Sequence, residues 1–326
     1  MSDYTSDKRA GHGEHYVKPF ESEEISFEEL QDAAPSSRFK LSVSGWVGTV
    51  IVAFWVVIAV FGQVLAPYDE AAFPVEEYYQ GDIPDDVEEY GEFRGPSDMA
   101  WLGTNRDDRD VLSRLMYGAG RTIGISFAGT VLAYFLGVVL GIGAAVAGPK
   151  VDMVVSRLND AFISLPTIML GLIVVTAVGS SVPVLIVTAG LIYMTIVYRL
   201  ARAIGMEIMV MDYVEAAKVR GEGIWWIVTK EIWPNAAMPL ISDFGLRLIY
   251  VILFVSSLSF LGMGVQPPQA DWGLMVRENL SAFQTYNASL LPVLAPALAI
   301  ATLTVGINLI VDDISAHAGG KLTKAM

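Results

Sequence analysis

Six stretches of this chain are apolar for long enough to cross, or nearly cross, about 30 Å of hydrocarbon, a distance that takes roughly 20 helical residues. They cover residues 43–64, 123–146, 162–178, 182–198, 238–263 and 290–311. The third and fourth runs are the shortest, and only Gly179, Ser180 and Ser181 separate them, which predicts a tight helical hairpin. Pro166 deletes one helix hydrogen bond at the start of the third run, so a kink is expected there. Composition agrees with a chain that lives in lipid: 17% of its residues are charged and its mean hydropathy is +0.49, whereas soluble domains carry about 25% charged residues. The expected fold is all-α, a polytopic membrane protein with six transmembrane helices.

Several classes of chemistry are excluded at the outset. There is no cysteine, hence no disulfide, no thiolate metal site and no cysteine nucleophile. The three histidines, His12, His15 and His317, lie at the two ends of the chain without the further ligands a metal centre needs. A formal charge of -14 speaks against nucleic acid, because a phosphate-binding surface has to be basic. The acid excess fits a surface adapted to high salt, and it equally fits an ordinary acidic tail and loop.

Positive charge is retained on the cytoplasmic side of a membrane. With the N-terminus inside, fourteen Lys and Arg fall on cytoplasmic segments and five on external ones, so both termini are expected in the cytoplasm. The domain map is then a flexible acidic cytoplasmic tail over 1–42, a transmembrane domain over 43–315 and a cytoplasmic tail over 316–326. The first run is longer than a signal-peptide core and follows 42 polar residues, so it is read as a retained span. An external loop over 65–120 holds fourteen acids and the aromatics Tyr78, Tyr79, Tyr90 and Phe93. Near its end Val111, Leu112, Leu115 and Met116 recur at helical spacing opposite Arg109, Asp110 and Arg114, which predicts a short amphipathic helix on the outer surface.

Three features carry finer information. Ala133, Gly137, Gly141 and Ala145 place a small residue at every fourth position of the second span, a stripe that lets two backbones approach closely, either within this chain or against a second membrane subunit. Asp243 and Arg247 stand four residues apart inside the fifth span, as an internal ion pair or as a polar lining of a pathway. The cytoplasmic loop over 199–236 is apolar and aromatic although it faces water. Helix formers run up to Arg220, glycines follow at 221 and 223, and a run with Trp225, Trp226 and Trp233 ends at Pro234, which describes two short helices joined by a bend. Such a knob is covered by another protein or lies on the membrane surface.

The residues of that loop decide the matter. Glu215-Ala216-Ala217, three residues, Gly221, and then Ile232-Trp233-Pro234-Asn235 resemble the EAA loop of ATP-binding-cassette (ABC) import permeases. More of the chain is similar to one branch, the C-type permease of dipeptide, oligopeptide and nickel importers. The matching motifs are Leu65-Ala66-Pro67-Tyr68-Asp69, Leu102-Gly103-Thr104, Arg109-Asp110-Val111-Leu112-Ser113-Arg114, Tyr117-Gly118-Ala119, the Arg157, Asp160 and Pro166 set, Ser259 to Pro268, and Trp272-Gly273-Leu274-Met275. The resemblance covers about residues 43–315 and leaves out the N-terminal tail. Two departures stand out: Asn105-Arg106-Asp107-Asp108 replaces the usual Asp, two residues and Gly, and Trp233 and Glu231 replace a Leu and a basic or polar residue.

The resemblance implies a type I ABC importer permease of the MetI-like fold in the cell membrane, non-catalytic itself. It implies a second permease subunit, two ATPase subunits that bind the ATP and Mg, and an extracytoplasmic substrate-binding protein. Glu215, Ala216, Ala217, Gly221, Ile232 and Pro234 become the ATPase-coupling residues, with Glu215 near a helix start and the small Ala216 and Ala217 entering a cleft of the ATPase. No cofactor belongs to this chain, which has no Gly, four residues, Gly-Lys-Ser/Thr motif. Di- or oligopeptides are the implied cargo, with nickel and oligosaccharides as alternatives in the same branch. A different class, an ion-coupled secondary transporter, would need carboxylates inside the membrane, and only Asp243 with Arg247 is available. A membrane hydrolase would need a Ser, His, Asp set that the spans lack. The cysteine-free background allows a direct check of orientation: Ser97→Cys should react with an impermeant thiol reagent added to intact cells, and Ser36→Cys and Thr323→Cys should not. Labelling of Ser36→Cys from outside inverts the topology.

Overall fold

The computed structural model describes residues 41–79 and 92–322; residues 1–40 of the expected 1–42 tail, the acidic centre of the first loop and residues 323–326 of the expected C-terminal tail lie outside the described residues. We label the principal helices α1 (Val43–Leu65), α2 (Pro74–Tyr78), α3 (Val111–Ala147), α4 (Pro149–Ile163), α5 (Thr167–Val178), α6 (Val182–Met209), α7 (Asp212–Val219), α8 (Ile224–Phe260), α9 (Trp272–Glu278) and α10 (Leu291–Leu322). Among the described residues five helices are long and apolar enough to cross a membrane.

The sixth crossing is built differently from the single kinked third span the sequence suggests. α5 has 12 residues, about 18 Å at 1.5 Å per residue, which is too short to cross alone. It is joined to α4 through Ser164-Leu165-Pro166 at an angle of 84°. Pro166 cannot continue a helix from the preceding residues, and it serves as the N-cap of α5. The expected kink is therefore a full break. The neighbours show what the pair achieves: α3 and α6 run parallel with a constant offset, Gly129 beside Ala189, Gly137 beside Val197 and Gly141 beside Ala201. Two helices that run parallel need the chain to return between them, and α4 with α5 makes that return.

The α3–α6 contact uses the stripe of small residues. A Cβ on Gly137 would stand 2.7 Å from the Cβ of Val197, one on Gly141 2.7 Å from the carbonyl oxygen of Tyr198, and one on Gly205 2.9 Å from the Cβ of Ala145. Of the two uses open to the stripe, the structure shows packing within this chain. α1 meets α10 by the same means, since a Cβ on Gly48 would stand 2.6 Å from the carbonyl oxygen of Gly306. Ser42 caps α1 by accepting from the amide of Gly45, and its own amide donates to Asp313 of α10 at 3.2 Å. α10 continues to Leu322, past the expected boundary at 315.

The short amphipathic helix expected before the second span is the first turn of α3, one 37-residue helix. Arg114, expected on its polar face, is 1% exposed. Loop segments and α9 cover α3 on that side, so no solvent face remains. Arg114 pairs with Glu278 at 2.9 Å and donates to the carbonyl of Pro268 at 3.1 Å, while Arg121 pairs with Glu70. Burial pushes the Glu278 carboxyl above its ordinary range and the neighbouring Arg114 charge pulls it back; fully buried Asp271 is likewise pushed up, against hydrogen bonds from Thr122 and the amide of Leu274. The turn that departs from the family pattern keeps its shape. Asn105 accepts from the amides of Asp107 and Arg109 at 3.0 and 2.8 Å, and Asp108 takes the left-handed conformation, φ 60°, that a glycine would supply.

Two alanine substitutions separate close packing from helix propensity. Gly137→Ala should destabilise the detergent-solubilised chain by about 3 kcal/mol, the upper end of overpacking penalties. Gly143→Ala, whose Cβ would meet nothing within 4 Å, should be neutral or stabilising by up to about 1 kcal/mol. Thermal melts should place Gly137→Ala well below the unaltered chain and Gly143→Ala at or above it.

Candidate functional site

At the end of the molecule where α3 and α6 finish, the chain forms a knob between α6 and α8. α7 begins with Asp212 and Glu215 in its first turn, where carboxylates complement the partial positive charge of exposed amides. It ends in a turn that needs a glycine. Gly221 has φ 81°, its amide donates to the carbonyl of Lys218 at 3.0 Å, and the amide of Glu222 reaches back to the carbonyl of Ala217 at 3.1 Å. These two bonds close the helix only when the residue between them is left-handed. Gly223 then opens α8, its carbonyl accepting from Ile227.

The second of the two short helices expected in the loop is not separate. From Ile224 the helix continues to Phe260 without interruption. Pro234 brings no donor and its ring crowds the preceding turn. The helix accommodates it with a widened π-helical stretch, Ile227–Ile232, just before. Asn235 adds a side-chain bond to the carbonyl of Glu231 at 2.6 Å. The knob is thus the first part of the long helix that becomes the fifth span.

The residues singled out in the loop divide into two groups. Val214, Ala217, Ile227, Ile232 and Ala236 are buried in one cluster with Val138, Ile142, Val197 and Ile208 of α3 and α6. Ala217 and Ile232 therefore seat the knob on this chain's own helices, which corrects the expectation that Ala217 enters a partner's cleft: a 0% exposed methyl has no surface left to offer. Glu215, Ala216, Gly221 and Pro234 are exposed. Around them the surface is apolar, with Val219 83% and Trp225 78% exposed and Tyr213, Ile224 and Trp233 also open. The guanidinium of Arg220 sits 5.6 Å from the ring centroid of Trp226, bracing the turn. An apolar outer face on a rigidly seated, glycine-turned knob is what a docking partner requires.

Further along α8 the structure brings Asp243 and Arg247 together. Nη2 of Arg247 donates to Oδ1 at 2.9 Å and Nε to Oδ2 at 3.0 Å. Tyr134 of α3 donates its hydroxyl to Oδ2 at 2.6 Å, and the guanidinium lies 5.5 Å from the ring centroid of Tyr250. Tyr134 is not legible as a partner in the sequence: it is remote in the chain, and only the crossing of α3 and α8 makes it a neighbour. Tyr250 follows Arg247 by three residues, a helical spacing that could have signalled it. A second pair joins Arg202 of α6 to Asp152 of α4, with Ser156 and Tyr198 hydrogen-bonded at 2.8 Å beside it. That pair holds the bent crossing to the core.

Residues 137–318 match the model of the family described as the binding-protein-dependent transport system inner membrane component. The chain is 28% identical over 268 residues to the dipeptide transport system permease protein DppC of Alkalihalophilus pseudofirmus, covering 82% of this chain and 83% of that one. It is 30% identical over 279 residues to the di/tripeptide transport system permease protein DppC of Pseudomonas aeruginosa, covering 85% and 88%. A solved structure of the MetNI methionine ABC transporter in an inward-facing conformation aligns with a TM-score of 0.48 at 20% identity, covering 62% of this chain and 96% of the other. The matched segment spans more than half of the chain and includes the Gly137–Val197 and Gly141–Ala201 part of the α3–α6 contact, the whole knob and the last two spans, and on that ground the chain belongs to the inner membrane components of binding-protein-dependent transport systems.

Proposed function

We propose that this chain is a permease subunit of an ABC importer for di- and oligopeptides, and that it receives the work of ATP hydrolysis through the knob between α6 and α8. The chain itself hydrolyses nothing; two ATPase subunits hold the ATP and Mg, a second permease completes the pathway, and an extracytoplasmic binding protein delivers the cargo. Both termini and the knob face the cytoplasm. Peptide cargo is supported by the relatives named for dipeptide and di/tripeptide transport.

The observation that carries the coupling role is the way the knob is mounted. Its inner face is fixed in the apolar cluster with α3 and α6, and its outer face, with Glu215, Ala216, Tyr213, Val219 and Trp225, is open. A push on that outer face is delivered to α8 as a whole, because the helix is continuous from Ile224 to Phe260. Ala217 and Ile232 transmit the push from inside, and Gly221 sets the angle at which it arrives.

Gly221→Pro cannot adopt φ 81°, since proline fixes φ near -65°; Glu215→Lys reverses charge at the exposed start of α7. Either change should leave the chain inserted and assembled while peptide moved per ATP falls about tenfold, equivalent to about 1.4 kcal/mol of coupling. Proteoliposome uptake measured together with ATP hydrolysis checks this. Unchanged uptake per ATP in both variants would falsify the coupling role.

A further inference from the structure

The Asp243–Arg247 pair has features that an internal clamp leaves unexplained. Arg247 uses Nε and Nη2 on Asp243, and among the described residues Nη1 has no hydrogen-bond partner. The side chains are 19% and 14% exposed, and the Tyr250 ring below the guanidinium is about half exposed. A charged group that looks out of a membrane helix faces a water-filled cavity or another protein rather than lipid. The contrast with α1 is plain, for its exposed face from Trp46 to Phe61 is apolar throughout. Lipid suits that face, and it does not suit the face of α8 at Arg247.

Towards its far end α8 also exposes Leu253, Ser257 and Phe260, on a face turned about 80–140° around the helix from Arg247 at 3.6 residues per turn. There it borders an open cavity of about 290 Å³ lined also by Ser256 and Gly273. The Ser256 hydroxyl is buried and, among the described residues, has no hydrogen-bond partner. Hydroxyls set among apolar and aromatic groups can serve peptide amides and apolar side chains at once. From this cavity to Arg247 is six to thirteen residues of helix, about 9–20 Å.

We propose that Arg247 is a specificity-determining station in the cargo path, where its free Nη1 edge takes the α-carboxylate of a passing peptide. The inference rests on the peptide reading above. Asp243, held by the Tyr134 hydroxyl, fixes the guanidinium plane so that Nη1 points away from the pair, and Tyr250 supports it from below. The Asp243 charge also keeps the hold weak. A path must bind its cargo well enough to admit it and loosely enough to release it. Arg suits the role because its planar fork can serve two carboxylates on different edges at one time.

The test uses the complete importer in proteoliposomes, with saturating binding protein and radiolabelled dialanine. Arg247→Gln should lower uptake about tenfold, the lower end of the loss of one charge-assisted hydrogen bond, while ATP hydrolysis in response to the binding protein stays near wild type and the melting temperature falls because Asp243 loses its partner. The charge-swapped double variant, Asp243→Arg with Arg247→Asp, restores an ion pair at the same spacing. It should recover any lost stability and leave uptake low, because the cation has moved one turn and changed its edge. Recovery of uptake in the swap would show a clamp and overturn the station, as would wild-type uptake by Arg247→Gln. A wild-type importer that hydrolyses ATP in response to the binding protein and moves no dialanine overturns the peptide reading, and the station with it; that result is distinct from the other two because it appears before any substitution is made.

Discussion

Two helix backbones can touch only where side chains leave room, and in this molecule the contact between α3 and α6 sets the position of everything else. Gly137, Gly141 and Gly205 provide the room. Water offers no driving force inside a bilayer, so close van der Waals packing of this kind is the main attraction between helices there. Because the two helices run parallel, the chain has to return between them, which requires the bent crossing of α4 and α5. Because they end side by side, their last turns form the apolar seat into which Val214, Ala217 and Ile232 fit.

The seat gives the knob its mechanical character. A loop element hung on flexible linkers would move without displacing a span; this one ends in a glycine turn whose two hydrogen bonds leave little play, and then runs directly into a helix of 37 residues. Pro234 could have broken that helix. Widening the preceding turn to π geometry absorbs the proline and keeps the rod intact. At the other end the buried Arg114–Glu278 pair and the Glu70–Arg121 pair tie α3 to α9 and to the first loop. A buried ion pair is weak evidence for stability, yet removing one partner is costly, which makes the arrangement specific.

Much of this was legible in the residues. Apolar run lengths gave the number of crossings, and Gly179-Ser180-Ser181 gave the hairpin between α5 and α6. Small residues at every fourth position marked the α3–α6 contact, and the Glu215 to Asn235 motif marked the knob. What escaped was set by contacts between distant segments. Arg114 looked like a solvent-facing residue because helical periodicity says nothing of a loop that will later cover it. Ala217 looked available because a small side chain reads the same whether it admits a partner or seats its own helix. The continuity of α8 was hidden by Pro234, which in isolation predicts a boundary. Tyr134 became a partner of Asp243 only through the crossing of two helices more than a hundred residues apart.

The central claim is that α8 moves as one rod from the knob to the far end of the fifth span. The absence of native cysteine allows spin labels at Trp225→Cys and Phe260→Cys, about 52 Å apart along a straight helix at 1.5 Å per residue. Pulsed electron double resonance on the assembled importer, with and without trapped ATP, reads their separation. The account predicts one distance distribution in both states while a label pair from Trp225 to the α1 residue Val60 shifts. A shortening of the Trp225 to Phe260 distance by about 5 Å or more, the rise of one helical turn, would mean that the helix breaks at its π turn or at Pro239 and would contradict it.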